Sequence, residues 1–142
     1  MALEHDAVIA IESDADVVTA RQRAREMAGE LELTSTDQTL LATAISEVAR
    51  NITTYAVRGE VALGIVRKDD GRRGIRVIAS DEGPGIADLE QAMQDGYTSG
   101  GGLGLGLPGA RRLVDDFTIE TAPGQGTKVT LVMWSRPNSR AA

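Results

Sequence analysis

The stretch Gly96-Tyr97-Thr98-Ser99-Gly100-Gly101-Gly102-Leu103-Gly104-Leu105-Gly106-Leu107-Pro108 constrains this chain more than any other. Backbone so poor in side chains loses a great deal of entropy on ordering, so a neighbouring element or a ligand has to hold it. It leads into Ala110-Arg111-Arg112-Leu113-Val114, which reads as a helix. Glycines ahead of a helix N-terminus offer unpaired N–H groups and the positive end of the helix dipole to an anion, and phosphate is the obvious one. The alternative is a solvated linker. Leucine at every second position, Leu103, Leu105 and Leu107, argues instead for a lid ordered by its ligand.

Around that lid the 142 residues suffice for one domain with a real core. With one Trp, two Tyr and one Phe, that core must be aliphatic. The absence of cysteine excludes a disulfide framework and thiolate metal sites. The first residues, Met1-Ala2-Leu3-Glu4-His5-Asp6, are polar and acidic, and no apolar run is long enough to span a bilayer. A cytoplasmic protein with no membrane partner is therefore expected. A net charge of −6 disfavours nucleic acid.

Val8-Ile9-Ala10-Ile11 reads as a first strand. Ser13 or Asp14 caps a helix from about Ala15 to Leu31, whose apolar stripe is Val17, Val18, Ala20, Ala24, Met27, Ala28 and Leu31. Ser35-Thr36-Asp37 caps a second helix from about Gln38 to Tyr55, with Leu40, Leu41, Ala44, Ile45, Val48 and Ile52 buried. Glu47 and Asn51, at i and i+4, fall together on the edge of that stripe, where a pocket over a sheet can use a carboxylate and an amide; taken alone, the pair reads better as ordinary boundary polar residues. Val61–Val66 and Ile75–Ala79 read as a hairpin about Asp69-Asp70-Gly71, and the second strand runs into Asp81-Glu82-Gly83-Pro84-Gly85. An aspartate at a strand end followed by glycines sets a fixed acceptor beside backbone that a flat ligand can approach. Taken alone it is equally an ordinary turn. Leu89–Met93 is expected to be a short helix, and Pro108 opens one running to about Asp116. Phe117–Thr121 and Lys128–Trp134 are the last strands, joined by Pro123-Gly124-Gln125-Gly126-Thr127. Residues 1–134 then form the domain, and 135–142 a tail expected to be disordered.

Glu47-x-x-x-Asn51, Asp81-x-Gly83-x-Gly85, the lid, and Gly124-x-Gly126-Thr127, in that order, resemble the GHKL (Bergerat) ATP-binding fold of gyrase-type ATPases and histidine kinases. Ala44–Ile52, Asp95–Gly109 and Arg112–Phe117 are similar in particular to the RsbT switch kinases of bacterial stress-response partner switching. The resemblance implies a two-layer α/β sandwich: a mixed, mostly antiparallel sheet of about five strands, with three or four helices on one face. The other face is expected to be more solvated, with Arg67, Lys68, Arg76 and Lys128 upon it.

The same resemblance implies ATP and Mg²⁺ as cofactors. Asn51 would ligate the metal. Glu47 would take or orient the proton of an attacking serine or threonine hydroxyl. Asp81 would accept from the adenine amino group, with Gly83 and Gly85 beside the base and Thr127 supporting the adenine end, through water. Gly100, Gly101, Gly102, Leu103, Gly104, Leu105 and Gly106 would wrap the triphosphate, poorly ordered until nucleotide binds. There is no P-loop signature. Candidate counter-charges are Arg50, Arg111 and Arg112, although Arg50, a turn away from the Glu47 side, reads as well as a surface or partner residue. The implied partners are STAS-domain antagonist or scaffold proteins as substrates, and a metal-dependent phosphatase activated by binding. The alternatives are an anti-sigma kinase of the RsbW kind and a binding module whose output is its partner contacts. His5, the single histidine, lies outside every motif, which leaves no histidine-based catalysis.

Overall fold

The computed structural model describes residues 7–56, 58–85, 93 and 106–136. Among the described residues five strands and three helices follow in the order β1 (Ala7–Ile11), α1 (Asp14–Glu30), α2 (Ser35–Tyr55), β2 (Gly59–Arg67), β3 (Arg73–Asp81), α3 (Gly106–Leu113), β4 (Asp116–Thr121) and β5 (Thr127–Trp134). The sheet order is β1-β2-β3-β5-β4. Each of its four pairings is antiparallel, so the expected mixed sheet is wholly antiparallel among the described residues. The expected helix at Leu89–Met93 lies outside the described residues except for Met93, which packs against the core.

Strand alternation puts Ile11, Val61, Leu63, Ile75, Val77, Ala79, Val129, Leu131 and Met133 on one face, all buried, and the helices close over them. Arg76 and Lys128 lie on the opposite face, as expected, with Ile78 and Thr130 between them in register. Arg67 does not: it is in phase with Leu63 and Val61 on the helix side. Lys68 sits at the hairpin turn with its ammonium 4.8 Å from the centre of the Trp134 ring.

α2 is the central helix, and its ends explain its position. Thr34, rather than Ser35-Thr36-Asp37, is the N-cap, its hydroxyl accepting from the Asp37 N–H at 3.0 Å, so the helix begins three residues earlier than the sequence suggests. Asp37 is thereby buried, and its carboxylate meets Arg136 Nε at 2.9 Å. Arg136 also reaches Asp115, at 3.0 Å, and the Ser135 N–H donates to the Arg73 carbonyl at 2.8 Å. The first two residues of the expected tail are thus tied to the domain. The buried face of α2 is also wider than its large apolar residues indicate, taking in Ala42, Ser46 and Ala49. On α1 the reverse holds: Val18, expected in the stripe, is 41% exposed.

Candidate functional site

The C-terminal half of α2 and the end of β3 meet. Gly83 lies under the last turn of the helix, where a β-carbon would come within 2.7 Å of the Ala56 methyl. Gly59 opens β2 so close to Ile52 that a β-carbon there would stand 2.9 Å from its methyl group. Asn51, half-buried, is the neighbour of Ile52, and Glu47 stands one turn earlier on the same side of the helix. The Glu47 side chain is 14% exposed, and its Oε2 is 3.5 Å from Arg50 Nη1. Arg50 therefore reaches the Glu47 side, contrary to its expected place a turn away; a three-residue step along a helix lets the long arginine stem curl back.

Asp81 ends β3 with its Oδ1 accepting from the Gly83 N–H at 2.8 Å. That local turn fixes the carboxylate and leaves Oδ2 able to accept. Across the sheet Asp81 is in register with Gly59 on one side and Thr127 on the other, and Thr127 with Thr121. Gly59, Asp81, Thr127 and Thr121 therefore form one cross-strand row at the end of the sheet, on its helix-covered face. Thr127 is buried. Its hydroxyl is 3.0 Å from that of Thr121, which donates to the Gly126 carbonyl at 2.9 Å.

The loop after Asp81 is locked to the β4–β5 loop by backbone contact. The Gly124 N–H donates to the Pro84 carbonyl at 2.6 Å. A β-carbon on Gly85 would strike the Ala122 carbonyl, and one on Gly126 the Asp81 carbonyl, and both glycines have positive φ, +75° and +78°. Gly83 and Gly85, expected beside a base, are thus also packed closely against protein.

Gly106, at φ +46°, opens α3, with Leu107, Pro108, Gly109 and Ala110 buried behind it. Pro108 falls in the first turn, where its missing N–H costs nothing. Arg111 and Arg112 are exposed in the last turn, at the opposite end of α3 from Gly106. Gly100, Gly101, Gly102, Leu103, Gly104 and Leu105 lie outside the described residues. Thr121 belongs to the Asp81 row without any local motif to mark it. Its signal is a threonine facing a threonine across a five-residue hairpin loop, which has no meaning until the register is known.

A family profile described as the histidine kinase-like ATPase domain matches residues 11–133. The chain is 44% identical over 128 residues to the serine/threonine-protein kinase RsbT of Bacillus subtilis, covering 90% of this chain and 96% of that one. It belongs to the RsbT-type serine/threonine kinases of the histidine kinase-like ATPase family. Anti-sigma F factors are more distant relatives, that of Caldanaerobacter subterraneus at 28% identity over 81% of this chain and 82% of its own length. The fold recurs in part of a solved structure of the RsbU and RsbW domains of a Mycobacterium tuberculosis protein, at TM-score 0.58 and 24% identity over 92% of this chain and 33% of that one. It is shared as well with the mycobacterial sensor histidine kinase MprB, at TM-score 0.56 and 21% identity over 95% and 100%.

Proposed function

We propose that the chain transfers the γ-phosphoryl group of Mg·ATP to a serine or threonine hydroxyl of a STAS-domain antagonist or scaffold protein in the cytoplasm, and that it activates a metal-dependent phosphatase by binding it. The observation that supports this best is the single helix α2. It carries a largely buried carboxylate, Glu47, one turn before an amide, Asn51, while its last turn rests on the Asp81–Gly83 corner. A base, a metal ligand and an adenine acceptor are thereby held to one rigid element, which is the positioning that phosphoryl transfer requires.

Asp81 Oδ2 accepts from the adenine amino group, and Thr127 supports the same edge. Gly106 and the glycines before it supply amide donors to the phosphates. Among the described residues there is no group of three His, Cys, Asp or Glu side chains able to hold a metal. A lone neutral oxygen from Asn51 suits Mg²⁺, which keeps most of its shell for water and phosphate. When bound, the ion neutralises charge building on the phosphate oxygens. Glu47 removes the proton from the attacking hydroxyl as its oxygen bonds to the γ-phosphorus and the bond to ADP breaks. Arg50, against Glu47, holds that carboxylate at the rim of the helix.

Incubation with γ-labelled ATP, Mg²⁺ and STAS-domain proteins from the same genome tests the reading. Label is expected on one serine or threonine of the partner. Glu47→Gln is expected to lower transfer by about 10²–10⁴-fold with ATP affinity retained. Tight ATP binding with no transfer to any such partner would transfer the output to binding alone. The anti-sigma reading rests on the more distant anti-sigma F factor relatives. Retention of a sigma factor in a pull-down would favour it; the 44% match to RsbT weighs the other way.

A further inference from the structure

We infer that Thr121, which touches no ligand in the reading above, sets the hydrogen-bond polarity of the adenine pocket as a positioning residue. This rests on the proposed adenine site. A threonine hydroxyl has one proton and two lone pairs. The Gly126 carbonyl can only accept, so the Thr121 proton is spent on it, at 2.9 Å. The 3.0 Å contact between the two threonine hydroxyls then has one allowed direction: Thr127 donates and Thr121 accepts. The Thr127 proton is thereby turned along the sheet row, towards β4, and away from the ligand.

Towards the pocket Thr127 consequently presents lone pairs alone. Asp81, its cross-strand neighbour, presents a carboxylate oxygen. Both protein groups on this wall are acceptors. The adenine amino group satisfies Asp81, but ring N1 of adenine is itself an acceptor and cannot bond to Thr127 directly. A donor has to stand between them, and a water molecule giving one proton to Thr127 and the other to N1 meets the requirement. Thr121 thus fixes which way that water points. Burial of Thr127 raises the cost of any other arrangement, since a misdirected hydroxyl there would leave an acceptor unpaired.

The test is a cycle between Thr121 and the N1 atom, read as equilibrium binding of two nucleotides to the full chain: ATP, and the triphosphate of 1-deazaadenosine, in which a C–H replaces N1. The wild type is expected to prefer ATP by about tenfold, the worth of one hydrogen bond of about 1.4 kcal/mol. In Thr121→Val the preference is expected to shrink to about threefold or less, because the Thr127 hydroxyl is released to turn and the water loses its fixed orientation. Thr121→Ser, which restores both bonds, is expected to recover it. Thermal melting of both variants reports whether they are folded. If Thr121→Val weakens the two nucleotides equally, or neither, Thr121 is structural only and the inference fails while the adenine site stands. A wild type that does not discriminate between the two nucleotides removes the contact to N1, and with it the inference. If, in addition, Asp81→Asn leaves ATP affinity unchanged, the adenine site itself is wrong.

Discussion

Two hairpin turns of this sheet look alike in sequence and do different things. The β2–β3 turn contains Gly71 at φ +89°, and the β4–β5 turn contains Gly124 and Gly126 at φ +75° and +78°. A β-carbon on Gly71 or on Gly124 would meet nothing within 4 Å, whereas one on Gly126 would strike the Asp81 carbonyl. The first turn closes on itself: the Gly71 N–H donates to the Lys68 carbonyl at 2.9 Å, and the Asp70 carboxylate accepts from the Arg72 N–H and Nε, both at 3.0 Å. The second closes on another loop, through Gly124 to Pro84 and through Gly126 to Asp81. Glycine answers a backbone angle in one case; in the other it also answers a contact on which the candidate site is built.

The largest effect expected to separate them is that of Gly126→Ala. An L-residue at positive φ costs about 1–2 kcal/mol, and the collision with Asp81 adds to it. A loss of stability above about 2 kcal/mol in urea unfolding is expected, together with weakened ATP binding, because the Asp81 backbone must move. Next comes Asp81→Asn, which exchanges one accepting oxygen for a donating amide against the adenine amino group. With hydrogen bonds to charged groups worth about 1.5–3 kcal/mol, the Kd for ATP should rise by about 10–100-fold, measured by calorimetry. Gly71→Ala should lose only the cost of its angle, about 1–2 kcal/mol, and leave ATP affinity unchanged. Equal effects of Gly71→Ala and Gly126→Ala on nucleotide binding would erase the distinction between the turns.

The same distinction explains what the sequence could convey. Strand runs rich in Val and Ile, the i, i+4 placement of Glu47 and Asn51, and the aspartate at the end of β3 are local patterns, and each leads to the right element. What depends on register or on distant partners is not legible. Thr121 gains its meaning from facing Thr127, and Arg136 binds an aspartate 99 residues away. Ala42, Ser46 and Ala49 flank the periodic stripe of α2, and only the packing of the neighbouring elements extends its buried face to them. Val18 failed in the opposite sense: apolar by type, it falls on the exposed side of α1.

The smallest effect is a matter of pH. The Arg72 backbone N–H, donating to Asp70, holds the Asp70 carboxyl below the ordinary aspartate range; desolvation opposes it, and the Arg72 side chain and the charge of Lys68 assist. A carboxyl whose pKa is lowered by folding stabilises the fold above its unfolded value, and that contribution is lost as pH falls through the folded value. Solvent exposure of the Asp70 carboxylate and salt screening keep it small. The β4–β5 turn is held by Thr121, Gly124 and Gly126, none of which titrates, so acid should loosen the first turn before the second. A carboxyl-detected NMR titration should show Asp70 below the usual range, its transition accompanied by a shift of the Arg72 amide. Arg72→Ala keeps the backbone donor and removes the side-chain assistance, so the Asp70 pKa should move only part of the way back. Complete reversion would place the cause in the arginine side chain, and the turn would then be closed by charge instead of by its backbone.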